Sequence, residues 1–193
     1  MKNSLTITLL ILPILSFGQI DVKWIEYEPN PANHFGALNP RAPEQVADFK
    51  PLIGNNVCRS VQRNPDGTWQ DTNDMLWKWK YIMNGTAVQD EVWRAEDNYA
   101  GSIRQYQADS AQWVVTYFSY PFVAYKPGVW HGAKKGDDIV LTQIQKAPNG
   151  MDGYSRLTFY DIDFYSFKWS GVWVSEDETI EYPFWMIECK KRE

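Results

Sequence analysis

Turn signals recur at roughly 8–12-residue spacing from residue 57 to the end of this sequence, and few folds accept that rhythm. Between the turns lie short runs rich in Val, Ile, Thr and aromatic residues: 57–62, 75–83, 86–94, 102–107, 112–120, 129–133, 139–145, 154–160, 167–175 and 179–190. None carries a convincing long-helix pattern, and the links are short. Runs of this kind predict about ten strands, with sequence neighbours paired antiparallel, in an all-β sandwich or barrel.

One hairpin is specified in register. Asn84-Gly85 supplies the two φ > 0 residues of a type I′ turn, and β-like runs flank it. With these two as the loop, Met83 faces Thr86, Tyr81 faces Val88, Trp79 faces Asp90, Trp77 faces Val92 and Met75 faces Arg94. The other face pairs Lys80 with Gln89 and Lys78 with Glu91 and belongs in solvent. The first face belongs inside, which carries Asp90 and Arg94 in with it. Buried charges must be paired or solvated, so these two point either to a cavity holding water and ligand or to an internal salt-bridge network. Asn84-Gly85-Thr86 also matches a glycosylation sequon, but the turn explains the same residues.

The N-terminus is an address. Lys2 precedes an apolar stretch over 5–15, and Ser16-Phe17-Gly18 places small residues at −3 and −1 of a cut before Gln19. That is a secretory signal peptide over 1–18, too short to span a bilayer, which takes roughly 20 apolar residues. Export to a periplasm or medium puts Cys58 and Cys189 where a disulfide persists; they are either bridged, first strand to last, or two buried thiols. Residues 19–42, with Pro29, Pro31, Pro40 and several Asn, form an irregular leader. Pro43 opens a short helix whose apolar side is Val46, Phe49 and Leu52, ended by Pro51 and Gly54.

Over 43–191 the chain resembles bacterial calycin-like (lipocalin-like) domains of unknown function. The resemblance rests on Pro51-Leu52-Ile53-Gly54, Pro65-Asp66-Gly67-Thr68, Trp77-Lys78-Trp79 and Asn84-Gly85-Thr86-Ala87-Val88-Gln89-Asp90. Ser102-Ile103-Arg104-Gln105-Tyr106 with Trp113, and Asp163-Phe164-Tyr165-Ser166-Phe167-Lys168-Trp169, extend it. It implies an up-and-down antiparallel β-barrel of about ten strands over 43–193, with the short helix at one end. The chain departs from the family at the first strand: calycins often carry Gly-x-Trp there, the Trp closing the barrel floor, whereas Gly54-Asn55-Asn56 has Asn in that place.

The function classes narrow by exclusion. A formal charge of −5 argues against nucleic-acid or anionic-membrane partners. Two His and two Cys at these spacings form no zinc motif, and no nucleophile elbow or phosphate loop is present, so no metal or cofactor is implied. Asp161 and Asp163, two apart, fit a glycosidase pair or a calcium site less well than an acidic surface turn. Aromatic content of 16% and interspersed arginines suit a small-molecule cavity as well as a filled core. The leading expectation is an exported barrel binding a small anionic or aromatic ligand. Trp77, Trp79, Tyr81 and Tyr106 would supply contact area, Arg94, Arg104 and Arg156 would meet negative charge, and Asp90 would orient one of them. The runner-up is an isomerase, lyase or hydrolase in the same cavity, with Asp90, Tyr106 or His131 as acid or base. A surface interaction protein would instead gather its exposed aromatics into one outer patch.

Overall fold

A computed structural model describes residues 22–95, 97–124 and 126–192; residues 1–18, expected to be a signal peptide, lie outside them. Ten strands form one closed barrel: β1 Gly54–Gln62, β2 Asn73–Ile82, β3 Ala87–Ala95, β4 Asn98–Gln107, β5 Gln112–Tyr120, β6 Val129–Lys135, β7 Asp138–Ile144, β8 Gly153–Tyr160, β9 Ser166–Ser175 and β10 Glu181–Lys191. Every strand pairs antiparallel with its sequence neighbours, and β1 closes on β10. Each expected run falls on one strand. β4 begins at Asn98 rather than at residue 102, because Ala100 and Gly101, poor strand formers, are held between Val92 and Glu91 on one side and Ser119 and Phe118 on the other.

The β2–β3 hairpin has the register the turn specified: Tyr81↔Val88, Lys80↔Gln89, Trp79↔Asp90, Lys78↔Glu91 and Trp77↔Val92. Two details differ. The ladder closes at Ile82↔Ala87, leaving Met83 and Thr86 in the turn, with Met83, Asn84 and Gly85 all at positive φ. At the other end it stops at Leu76↔Trp93, short of Met75 and Arg94, because β3 bulges against β4 between Trp93 and Ala95. Lys78 and Lys80 reach Glu91 at 3.9 and 3.7 Å on the outer wall.

Cys58 and Cys189 lie directly opposite on β1 and β10, 4.0 Å apart at Cα, and are bridged. The bond sits across the seam where the last strand meets the first.

The segment Glu44–Leu52 crosses one end of the barrel as a 3₁₀ helix. Its apolar side chains explain that choice. Val46, Phe49 and Leu52 are three apart, the repeat of a 3₁₀ turn, so all three fall on one side, and all are fully buried. Pro51 does not stop the helix, as its position suggests; it sits inside the last turn, and Ile53 N–H closes onto Lys50 O at 3.3 Å beyond it. Phe49 makes the floor: its ring packs on Trp79, Trp113 and Phe159 at centroid distances of 5.5, 4.9 and 5.7 Å. The floor Trp missing at Asn56 is thus replaced from the helix. Asn56, buried, donates instead to Leu52 O at 3.0 Å and Trp77 O at 3.1 Å, tying helix to wall.

The leader runs over the same end. Tyr27 N–H donates to Asn84 Oδ1 at 2.9 Å, Asn39 Nδ2 donates to Asn84 O at 3.0 Å, and Asn39 N–H donates to Gly85 O at 3.1 Å. Gly85 is required twice over: its φ is +77°, and a Cβ there would lie 2.2 Å from Ala37 O.

Candidate functional site

Above the floor the barrel is not filled. A cavity of about 310 Å³ runs from the floor toward the end opposite the helix. Trp77, Phe159, Leu141 and Ile187 line its depth and are buried; Arg94, Tyr117, Trp130, Gln145 and Trp185 line its upper part and are partly or fully exposed.

The charges at its base form an ion pair, with Arg104 Nε buried and unpartnered among the described residues. Asp90 on β3 and Arg104 on β4 are both buried and form an ion pair through Oδ1 and Nη1. Asp90 Oδ2 accepts a hydrogen bond from Trp77 Nε1 at 2.8 Å. Both carboxylate oxygens are therefore engaged. The Arg104 guanidinium lies 4.4 Å from the Trp79 ring centroid and 5.2 Å from that of Phe49, a cation spread over ring faces. Neighbouring strands make this possible. Val88 pairs with Arg104 and Asp90 with Ser102, so Asp90 and Arg104 are diagonal neighbours on one inward face.

The upper rim is shaped by two bulges. Arg94 is the extra residue of the β3 bulge, and Phe184 is the extra residue of a second one between Pro183 and Trp185 on β10. The second bulge brings two successive residues, Phe184 and Trp185, to the cavity lining where a regular strand would alternate them. Gly171 opposite leaves the room: a Cβ there would lie 2.7 Å from the Phe184 ring. Arg94 rests over Trp185 at 4.8 Å, and its Nε is buried without a partner among the described residues. Trp185 itself donates to Ser60 Oγ at 2.7 Å, and Trp130 donates to Ser155 Oγ at 3.0 Å, which fixes both rings.

Of the residues expected at the site, Trp77, Asp90, Arg94 and Arg104 line the cavity together. Trp79 and Tyr81 point inward but lie nearer the helix, buried in the core beside the floor. Burial pushes the Tyr81 phenol up to about 12, and its hydroxyl has no partner among the described residues. Tyr106 packs against Trp113 at 5.5 Å, outside the cavity lining. Trp113 in turn donates to Asp48 Oδ2 at 3.1 Å. Burial holds the Asp48 carboxyl above the usual range, and this bond only partly offsets it.

His131 and Arg156 do not reach the cavity. His131 is exposed, since its neighbour Trp130 takes the inward place on β6. On β8 the inward residues are Ser155, Leu157 and Phe159; Arg156 lies on the outer wall and pairs with Glu181 at 2.9 Å. The error has a physical origin. Tyr154, Thr158 and Tyr160 make the Arg156 face the more aromatic of the two, yet a Tyr on an outer wall keeps its hydroxyl in water.

Asp161 and Asp163 form an exposed β8–β9 turn. Asp163 Oδ1 accepts from Tyr165 N at 2.6 Å and Ser166 N at 2.7 Å, and these bonds hold its carboxyl below the usual range. Asp161 pairs with Lys168. No cluster of three metal-ligating side chains occurs among the described residues, and no helix among them is long and apolar enough to cross a membrane. On the outer wall Tyr99 and Tyr120 stack at 6.1 Å and, with Phe118, remain exposed.

Among the lining residues that sequence reasoning missed are Phe184 and Trp185. Their signal was Pro183: a proline in a strand paired on both sides lacks a ladder donor and marks a bulge.

No protein-family model matches this sequence, and no curated protein does. Among solved structures, the crystal structure of Rv2717c from M. tuberculosis is similar with a TM-score of 0.49, at 11% identity, over 79% of this chain and 99% of that one.

Proposed function

We propose that this chain is an exported, calycin-like barrel that binds a small molecule in the cavity above its floor. The observation that carries the reading is the cavity itself. Its volume of about 310 Å³ lies at the small end of the range for ligand sites, ~300–1,000 Å³, and aromatic and aliphatic side chains with a few polar groups line it. A core closed only for stability would bring those rings together, since interiors pack to near crystal density. Export is supported by the Cys58–Cys189 bridge, which belongs to an oxidising compartment, and by the signal-peptide pattern over 1–18.

An enzymatic reading would draw on Asp90, whose two oxygens are taken by Arg104 and Trp77, and on Tyr106 and His131, which lie outside the cavity. Binding needs none of these groups free. Native mass spectrometry of the mature protein purified from the organism that makes it tests the reading. A retained small-molecule mass is expected; a clean apo mass, together with no uptake of any small apolar probe in solution, overturns it.

A further inference from the structure

We infer that the ligand is a small aromatic monocarboxylate whose acid group is held by Arg94; this rests on the cavity-binding reading above and narrows it to a chemical class. Three charged side chains line the cavity: Asp90, Arg94 and Arg104. Asp90 and Arg104 neutralise each other. Arg94 has no carboxylate partner among the described residues, and its Nε is buried with no acceptor. Among the described residues the cavity therefore carries one uncompensated positive charge between largely apolar walls. The guanidinium is partly exposed, but a buried donor without an acceptor is costly. A single negative charge meets the cation and supplies that acceptor. A dianion would leave a charge over, and a cation would be repelled.

The rest of the lining sets the body of the ligand. Trp77, Trp169, Trp185, Phe159 and Phe184 present ring faces and edges, and Trp169 and Trp185 meet edge to face at 5.2 Å. Polar side chains other than the charged ones are few, and Ser155 already accepts from Trp130. A sugar would leave most of its hydroxyls unpaired there; a flat apolar ring stacks. The volume matches about ten waters at ~30 Å³ each, which suits one or two fused rings and excludes a macrocycle. Arg94 sits at the β3 bulge near the mouth, so the carboxylate lies uppermost and the ring points down toward Trp77 and Phe159. A guanidinium held over the Trp185 ring offers its N–H groups to a carboxylate in the fork geometry that suits both.

Isothermal titration of the mature, disulfide-bonded protein with benzoate, 2-naphthoate and the corresponding neutral amides tests the assignment. The acids are expected to bind about tenfold or more tighter than their amides, the increment of a charge-assisted hydrogen bond. R94Q should erase that preference to within about twofold, while R94K keeps part of it. Thermal melts show that the variants are folded. Amides binding as well as acids, or a preference that survives in R94Q, overturns the charge assignment and leaves the binding barrel standing. Binding of neither acids nor amides overturns the aromatic monocarboxylate assignment, and the binding barrel then stands or falls on the native mass and the uptake of small apolar probes.

Discussion

At the scale of single residues the molecule turns on how it handles buried polarity. Arg104 and Trp77 together engage both oxygens of Asp90 inside a wall of rings, so removing one member strands the rest. Asp90→Asn should cost about 3–5 kcal/mol in urea unfolding, because Arg104 is left as a buried, uncompensated charge. The pair Asp90→Asn with Arg104→Met should recover most of that loss; if the double variant is no better than the single one, the pair is not the unit described. Tyr81 gives a pH dependence with a definite sign. Its folded pKa of about 12 lies above the ordinary 10, so the folded protein holds the proton more tightly than the unfolded chain. The resulting stability is fully present below pH 10 and is lost as pH rises through 12, by about 2–3 kcal/mol. Tyr81→Phe should flatten that part of the curve and cost nothing at neutral pH, since it removes a buried hydroxyl that has no partner. Urea midpoints of both proteins between pH 9 and 12 decide it. Trp77, Asp90 and Arg94 were legible as inward residues from one Asn-Gly turn, because strand side chains alternate with period two. That Asp90 takes Arg104, and not Arg94, was not legible: the partner comes from the next strand, and its register depends on a connection without a comparable turn signal.

At the scale of elements, the helix and the two bulges define the cavity from below and above. Phe49 is the hub of the floor, in ring contact with Trp79, Trp113 and Phe159. Phe49→Ala should destabilise the barrel by about 3–5 kcal/mol, the cost of a buried ring and the void it leaves. It should also extend the cavity downward, so that a longer apolar probe is taken up by the variant and not by the parent; calorimetry with a homologous acid series reads both. The helix was visible in the three-residue spacing of Val46, Phe49 and Leu52, though not its 3₁₀ form, which lets Pro51 stay inside it. The bulges were not visible as such. Arg94 and Phe184 are ordinary strand residues by type, and only pairing on both sides makes the extra residue apparent.

At the scale of the whole molecule, the seam between β1 and β10 is the contact of greatest sequence separation, and it is both hydrogen-bonded and bridged. The bridge closes a loop spanning 131 positions, so replacing both cysteines with Ala should lower stability by up to ~5 kcal/mol in the chain-entropy account. Urea unfolding of the variant against the oxidised parent measures it; an unchanged midpoint would show that the ladder alone holds the seam. The sequence by itself determined the strand number, the antiparallel order of neighbours, the inward face of β2 and β3 and the helix that caps one end. Each follows from local chemistry: turn residues, period-two alternation and a three-residue apolar repeat. Tertiary structure alone decided which arginine is paired, that Arg156 and His131 face outward, and that the floor is closed by Phe49 where Asn56 could not close it. It also decided that the interior stays open. Those outcomes depend on register summed around ten strands and on bulges that offset it, and no local stretch of sequence fixes either.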